Sequence, residues 1–148
     1  MRQNIEMKEA DYYRTYLLGH LRDHFFPQAT DSKFIDTRVN EAYERFTALR
    51  LEGKSVIMAQ ELAMRTLLDG LYVSRYDILY NIVEESLWTR LPEEYWADFT
   101  IHLLTVKKIH DILDRYGING DFLGRETHQP MLDELLGLIT DILDGYGL

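Results

Sequence analysis

The chain has 148 residues, 46% of them hydrophobic and 12% aromatic, which is enough for a continuous core without disulfide or metal staples. It has no cysteine, which excludes disulfides, thiol nucleophiles and thiolate metal sites and fits a reducing, cytoplasmic setting. The net charge of −9 opposes phosphate backbones, so direct nucleic-acid binding is not expected.

The first segment, MRQNIEMKEADYY, mixes both charges without an apolar h-region, so no signal peptide is expected. No apolar run approaches bilayer-spanning length, so no membrane association is expected either. From there the spacing predicts a helix over residues 8–25, with Ala10, Tyr13, Leu17, Leu18, Leu21 and Phe25 on one face and Pro27 as its stop. Thr30, Asp31 and Ser32 offer N-cap oxygens for a second helix through Ile35, Val39, Ala42, Tyr43, Phe46 and Leu49. Gly53 is its natural left-handed stop. Ser55 caps a third helix through Ala59, Leu62, Ala63, Leu67 and Leu71, ending near residues 70–73.

Ser74-Arg75-Tyr76-Asp77 has the form of a capping box and opens a fourth helix. Its apolar residues Ile78, Leu79, Ile82, Val83 and Leu87, with Tyr76 and Tyr80, cover more than half the circumference, so it is expected to be the central, most buried helix. Pro92 starts a fifth, with Trp96, Phe99, Leu103, Val106, His110 and Leu113 as one stripe. Residues 117–125, GINGDFLGR, are the clearest loop. Pro130 opens a sixth helix with Met131, Leu132, Leu135, Leu136, Leu138, Ile139, Ile142 and Leu143 on one side. The expectation is an all-α, single-domain multihelical array or bundle of about six helices over residues 1–148. IHDILDRYGI (109–118) and ITDILDGYGL (139–148) share seven of ten positions, but the likeness ends upstream, so both are read as helix stops rather than a duplication.

Candidate sites are few. His20 and His24 stand one turn apart, as in metal-binding H-x-x-x-H elements, but no third ligand is identifiable and core packing is the favoured reading. His110 with Asp111 and Asp114 could form an oriented acid–base pair, but His110 lies in the Trp96–Leu113 stripe, which favours a histidine bonded along its own helix. Asn119, Gly120 and Glu126 match positions five, six and twelve of a calcium loop, yet Arg115 and Gly117 occupy positions one and three, which rejects it. No phosphate-loop, nucleophile-elbow or zincin motif occurs, so no catalytic residue, metal or cofactor is assigned.

The charge is unevenly placed. Residues 1–60 carry nine Lys/Arg and nine Asp/Glu, so the excess lies entirely in residues 61–148. In the last helix Asp133, Glu134, Asp141 and Asp144 lie opposite the apolar face with no cation from residue 130 onward. Asp141 and Asp144 also oppose the helix dipole, which arginines of the neutral N-terminal half or a basic partner could compensate, but a solvated face is the favoured reading over a partner site, as for most charge runs.

With Leu67, Gly70, Leu71, Val73, Ser74, Tyr76, Asp77, Leu79, Asn81 and Ile82 assembled, the chain resembles the Bacteroidetes family DUF1896, a domain of unknown function. Leu91-Pro92, Leu103-Leu104, Asp121-Phe122, Glu134-Leu135, Gly137 and Gly147-Leu148 extend the resemblance over nearly the whole length. Val73 departs from it, since an aromatic is usual there. The resemblance implies an all-α bacterial protein in a mobile-genetic-element context and brings no catalytic residue with it.

Three functions follow as expectations. The leading one is a non-enzymatic interaction or regulatory module whose Asp133, Glu134, Asp141 and Asp144 dock a basic protein, or imitate the phosphate spacing of DNA to occupy a nucleic-acid-binding protein. The alternative is a small-ligand binder or enzyme with an inter-helix pocket. The third is homodimerisation through Trp88 and the tyrosines of the fourth helix.

Overall fold

The structure, a computed structural model, describes residues 2–117 and 128–146, with side chains described from residue 8. Among these residues there are seven α-helices: α1 (Arg2–Asp23), α2 (Ser32–Leu51), α3 (Val56–Leu67), α4 (Arg75–Ser86), α5 (Trp96–Leu103), α6 (Lys107–Arg115) and α7 (Gln129–Gly145). The fold is all-α. The helices form two compact units, residues 1–72 and residues 73–148.

In the first unit the apolar stripes meet as their spacing predicts. Tyr13, Leu17 and Leu21 of α1 pack with Ile35, Val39 and Ala42 of α2 and Ala63 and Leu67 of α3, all buried. The small Ala42, Ala59 and Ala63 let α2 and α3 approach closely as an antiparallel hairpin. Its turn is chemically specified: Gly53 takes φ 91°, Lys54 N–H donates to the Leu49 carbonyl, and the Ser55 side chain accepts from the Met58 amide at 3.1 Å. Asp31 caps α2 by accepting from the Phe34 amide at 3.0 Å. Arg38 of α2 donates to the carbonyls of Leu67 (3.2 Å) and Asp69 (2.6 Å), serving acceptors that the end of α3 leaves without helical donors. Burial, then the Glu9 carboxylate one turn away, pushes the Tyr13 phenol well above its ordinary value.

The end of α1 differs from expectation. Pro27 opens a short 3-10 turn (Pro27–Thr30) and the helix has already stopped at Asp23. Phe26 N–H donates to Leu21 and Phe25 N–H to Arg22, a Schellman stop in which Phe25 takes φ 55°, the left-handed position that glycine holds at the end of α2. Phe26 is buried beneath this stop.

In the second unit Ser74 is 2% exposed and makes both bonds of its capping box with Asp77, at 3.0 and 3.1 Å. The core gathers Ile78, Leu79, Ile82 and Val83 of α4, Leu103, Ile109 and Leu113, and Met131, Leu135, Ile139 and Leu143 of α7, the last four fully buried. Helix α4 packs against α5 and α7 but is not enclosed: Asn81, Glu84, Glu85 and Ser86 are exposed, while stacked Tyr76 and Tyr80 (ring centroids 5.7 Å) are half-buried beside the stripe.

The fifth predicted helix is two. Val106 turns extended (φ −87°, ψ 116°), and the Thr105 hydroxyl donates to the His102 carbonyl at 2.6 Å, ending α5 before α6 begins. Two consecutive β-branched residues favour such a break. The break also shifts the phase of the inward face, so Ile109 and Leu113 are buried in α6 while Val106 and His110 are half-buried. Both copies of the repeated decapeptide are helix ends, with Tyr116 and Tyr146 as the C-cap residues of α6 and α7.

Replacing Phe25 by glycine removes the strain of a bulky side chain at positive φ and is expected to raise stability by about 1 kcal/mol. Urea unfolding of the two proteins measures it; an unchanged or lower midpoint contradicts the strain assignment.

Candidate functional site

A concavity of the second unit lies between α4 and α7, with a volume of about 340 Å3. Its floor is apolar, from Val73, Ile78, Ile82, Leu132 and Leu136, and its rim is polar, from Asn81, Glu85, Ser86, Gln129 and Asp133. The arrangement follows from the helix period. Ile78, Ile82 and Glu85 recur at three and four along α4, and Gln129, Leu132, Asp133 and Leu136 do so along α7, so two facing stripes change from core to solvent across one groove.

The four acids of α7 are all exposed, but they do not form one site. Asp133 stands on the groove and accepts from the Gln129 amide at 2.8 Å. Glu134 faces α6 instead, accepting from Arg115 Nη2 at 2.9 Å and from the Tyr116 hydroxyl at 2.5 Å. That hydroxyl first, and Arg115 with it, hold the Glu134 carboxyl below its ordinary range, and the same bond pushes the Tyr116 phenol up. Asp144 accepts from Arg90 Nη2 at 2.6 Å, which answers the unfavourable dipole at the helix end. Asp141 makes no hydrogen bond or ion pair among the described residues. The arginines that pair with Asp144 and Glu134 come from the acidic half of the chain, at Arg90 and Arg115, and not from the N-terminal half, one of the two sources the sequence offers.

His110 is held by two other helices' ends and not by its own carboxylate. Arg75 Nη1 donates to its Nδ1 at 2.8 Å, and its Nε2 donates to the Leu104 carbonyl at 2.6 Å. An arginine only donates and a carbonyl only accepts, so the neutral Nε2–H tautomer is required. Arg75 Nη2 also bonds Asp114, and this arginine lowers the Asp114 carboxyl below its ordinary range. Asp111 pairs with Lys107. The arrangement satisfies the carbonyl that the α5–α6 break frees, and it leaves neither His110 nitrogen open for acid–base work. Sequence spacing shows His110 near Asp114 but gives no sign of Arg75, 35 residues earlier.

His20 donates Nε2–H to the Leu71 carbonyl at 2.6 Å and stacks on Phe26, with the His24 ring centroid 4.6 Å away. It ties α1 to the segment after α3. No group of three or more potential ligands that could hold a metal ion occurs among the described residues. The calcium-like positions Asn119, Gly120 and Glu126, and all but the first residue of the glycine-rich loop, lie outside the described residues. Trp88 is 63% exposed, whereas Tyr80 meets Trp96 edge-on within the unit. No described helix is long and apolar enough to cross a membrane.

The model of the family described as domain of unknown function (DUF1896) matches residues 5–148. The chain belongs to that family. Its fold is also that of a crystal structure of protein PG0816 from Porphyromonas gingivalis, with a TM-score of 0.88 and 27% identity, covering 97% of this chain and 96% of that one. No curated protein matches the chain. The family model places nearly the whole length of this DUF1896 chain, the groove residues included, inside one family.

Substituting Arg75 by methionine removes the donor to half-buried His110 and should cost about 1 kcal/mol. Because the Asp114 and Glu134 carboxyls are lowered in the folded state, their contribution is present above the ordinary carboxylate range and lost as pH falls through and below it. Urea midpoints measured between about pH 6 and pH 3 should therefore fall less steeply in Asp114→Asn than in wild type. Parallel curves contradict the assignment.

Proposed function

We propose that this protein is a non-enzymatic interaction module, and that the α4–α7 groove receives an amphipathic, basic segment of a protein partner. The observation that carries the reading is the groove's layered chemistry: an apolar floor of Val73, Ile78, Ile82, Leu132 and Leu136 beneath a rim that includes Glu85 and Asp133. An amphipathic helix docks into such grooves through anchors at i, i+3, i+4 and i+7, while its charged flanks select the register. Residues 73–148 hold fourteen Asp/Glu against six Lys/Arg, so the field around the groove favours a cationic ligand and disfavours nucleic acid. Asp133 carries the docking role in this reading, since Glu134 and Asp144 are engaged by Arg115 and Arg90 and Asp141 is not on the groove. Imitation of DNA by the α7 acids is less favoured for the same reason, because two of the four charges are already paired. The small-ligand alternative finds no support in the lining, which contains none of the histidines. The mobile-element context implied by the family resemblance is compatible with a module that works by docking.

A panel of designed peptides tests the reading: Lys/Leu amphipathic, Glu/Leu amphipathic, and Lys/Ser without an apolar face. Calorimetry should show binding of the Lys/Leu peptide alone, weakened about tenfold or more by Asp133→Lys and unaffected by Asp98→Lys. Equal binding of the Lys/Ser peptide, or indifference to Asp133→Lys, contradicts it.

A further inference from the structure

The turn between α2 and α3 carries an apolar knob that the core of its own unit does not use. Leu51 and Ile57 are each 78% exposed, and Val56 and Met58 are 44% and 46% exposed. Single exposed aliphatic residues are ordinary, but four within eight residues on one turn mark an interaction surface. The knob is also rigid. Gly53 fixes the helix stop, Arg50 Nη1 donates to the Lys54 carbonyl at 2.6 Å, and Ser55 caps α3, so little conformational entropy remains to be lost on docking.

Its charge is opposite to that of the groove. Residues 45–58 carry Arg45, Arg50 and Lys54 against Glu52, whereas the groove-bearing stretches 78–86 and 129–136 carry Glu84, Glu85, Asp133 and Glu134 and no cation. The sizes agree as well. A cavity of about 150 Å3 holds a benzene-sized group, so the groove's volume of about 340 Å3 has room for two aliphatic side chains such as Leu51 and Ile57.

We propose that the groove's partner is a second copy of this chain, whose α2–α3 knob seats Leu51 and Ile57 on the floor between α4 and α7 while Lys54 meets Asp133 and Glu85. This rests on the reading of the groove as a site for basic, apolar segments and names its occupant. The contact joins different surfaces of the two copies, so it is heterologous and propagates until a ring closes or the surfaces are exhausted.

The test uses the full chain, with mass measured by light scattering over a range of concentration and at low and high salt. The knob variant is Leu51→Glu with Ile57→Glu, and the groove variant is Glu85→Lys with Asp133→Lys. All four positions are exposed, and circular dichroism checks that both variants fold. Wild type is expected to associate with rising concentration, and less so at high salt. Each variant alone should associate at least about tenfold more weakly. An equimolar mixture of the two should recover a two-copy species, because one supplies an intact groove and the other an intact knob. Wild type that stays monomeric, a variant that associates like wild type, or a mixture that fails to pair overturns the proposal. The Lys/Leu peptide separates the two failures: monomeric wild type that still binds it removes self-docking alone, and wild type that is monomeric and binds no peptide removes the groove reading too.

Discussion

The constraint on which the second unit depends is a shortage of positive charge. With six Lys/Arg against fourteen Asp/Glu in residues 73–148, any cation placed at one helix junction is withheld from another. The arginines with described side chains are all spent on such junctions. Arg75 ties the start of α4 to α6, Arg90 ties the segment after α4 to the end of α7, and Arg115 ties α6 to the first turns of α7. These pairs are partly exposed, and exposed pairs contribute little stability each. Their larger effect is positional: Arg75 orients His110, and His110 satisfies the Leu104 carbonyl where α5 and α6 part.

The same shortage determines what the surface offers. Once Arg90 and Arg115 are engaged with Asp144 and Glu134, Asp133 meets only the neutral Gln129 amide among the described residues. It stands above an apolar floor whose desolvation strengthens any charge interaction made at its edge. A ligand that gains from this place brings both an apolar anchor and a cation. The first unit is nearly neutral and spends its polar groups differently, on caps and on Arg38 closing the end of α3. It leaves Leu51, Val56, Ile57 and Met58 exposed at the α2–α3 turn.

Local chemistry made much of this fold legible in the sequence. The Asp31, Ser55 and Ser74 caps, the Gly53 stop, and the stripes of α1, α2 and α7 were readable because each depends on residues within one or two turns. The break between α5 and α6 was not, since Leu103 and Leu113 keep an acceptable helical spacing across it and only the backbone reveals the phase shift to Ile109. Phe25 was hidden for a different reason. Propensity assigns a left-handed stop to glycine, and tertiary burial of Phe26 overrides it. Of the site, the acids were legible as a run, but their division among the groove, Arg115 and Arg90 was not. Those partners lie 19 and 54 residues away, and nothing local announces them.

The apolar floor between α4 and α7 is the proposed docking surface for a cationic, amphipathic segment. Methyl-group NMR measures this most directly, by titrating wild type with the Lys/Leu peptide and following Val73, Ile78, Ile82, Leu132 and Leu136. Docking in the groove gives saturable shifts concentrated on these methyls, with those of Leu17, Leu21 and Val39 unmoved. Shifts spread evenly over the surface, or confined to methyls outside the groove, would contradict it.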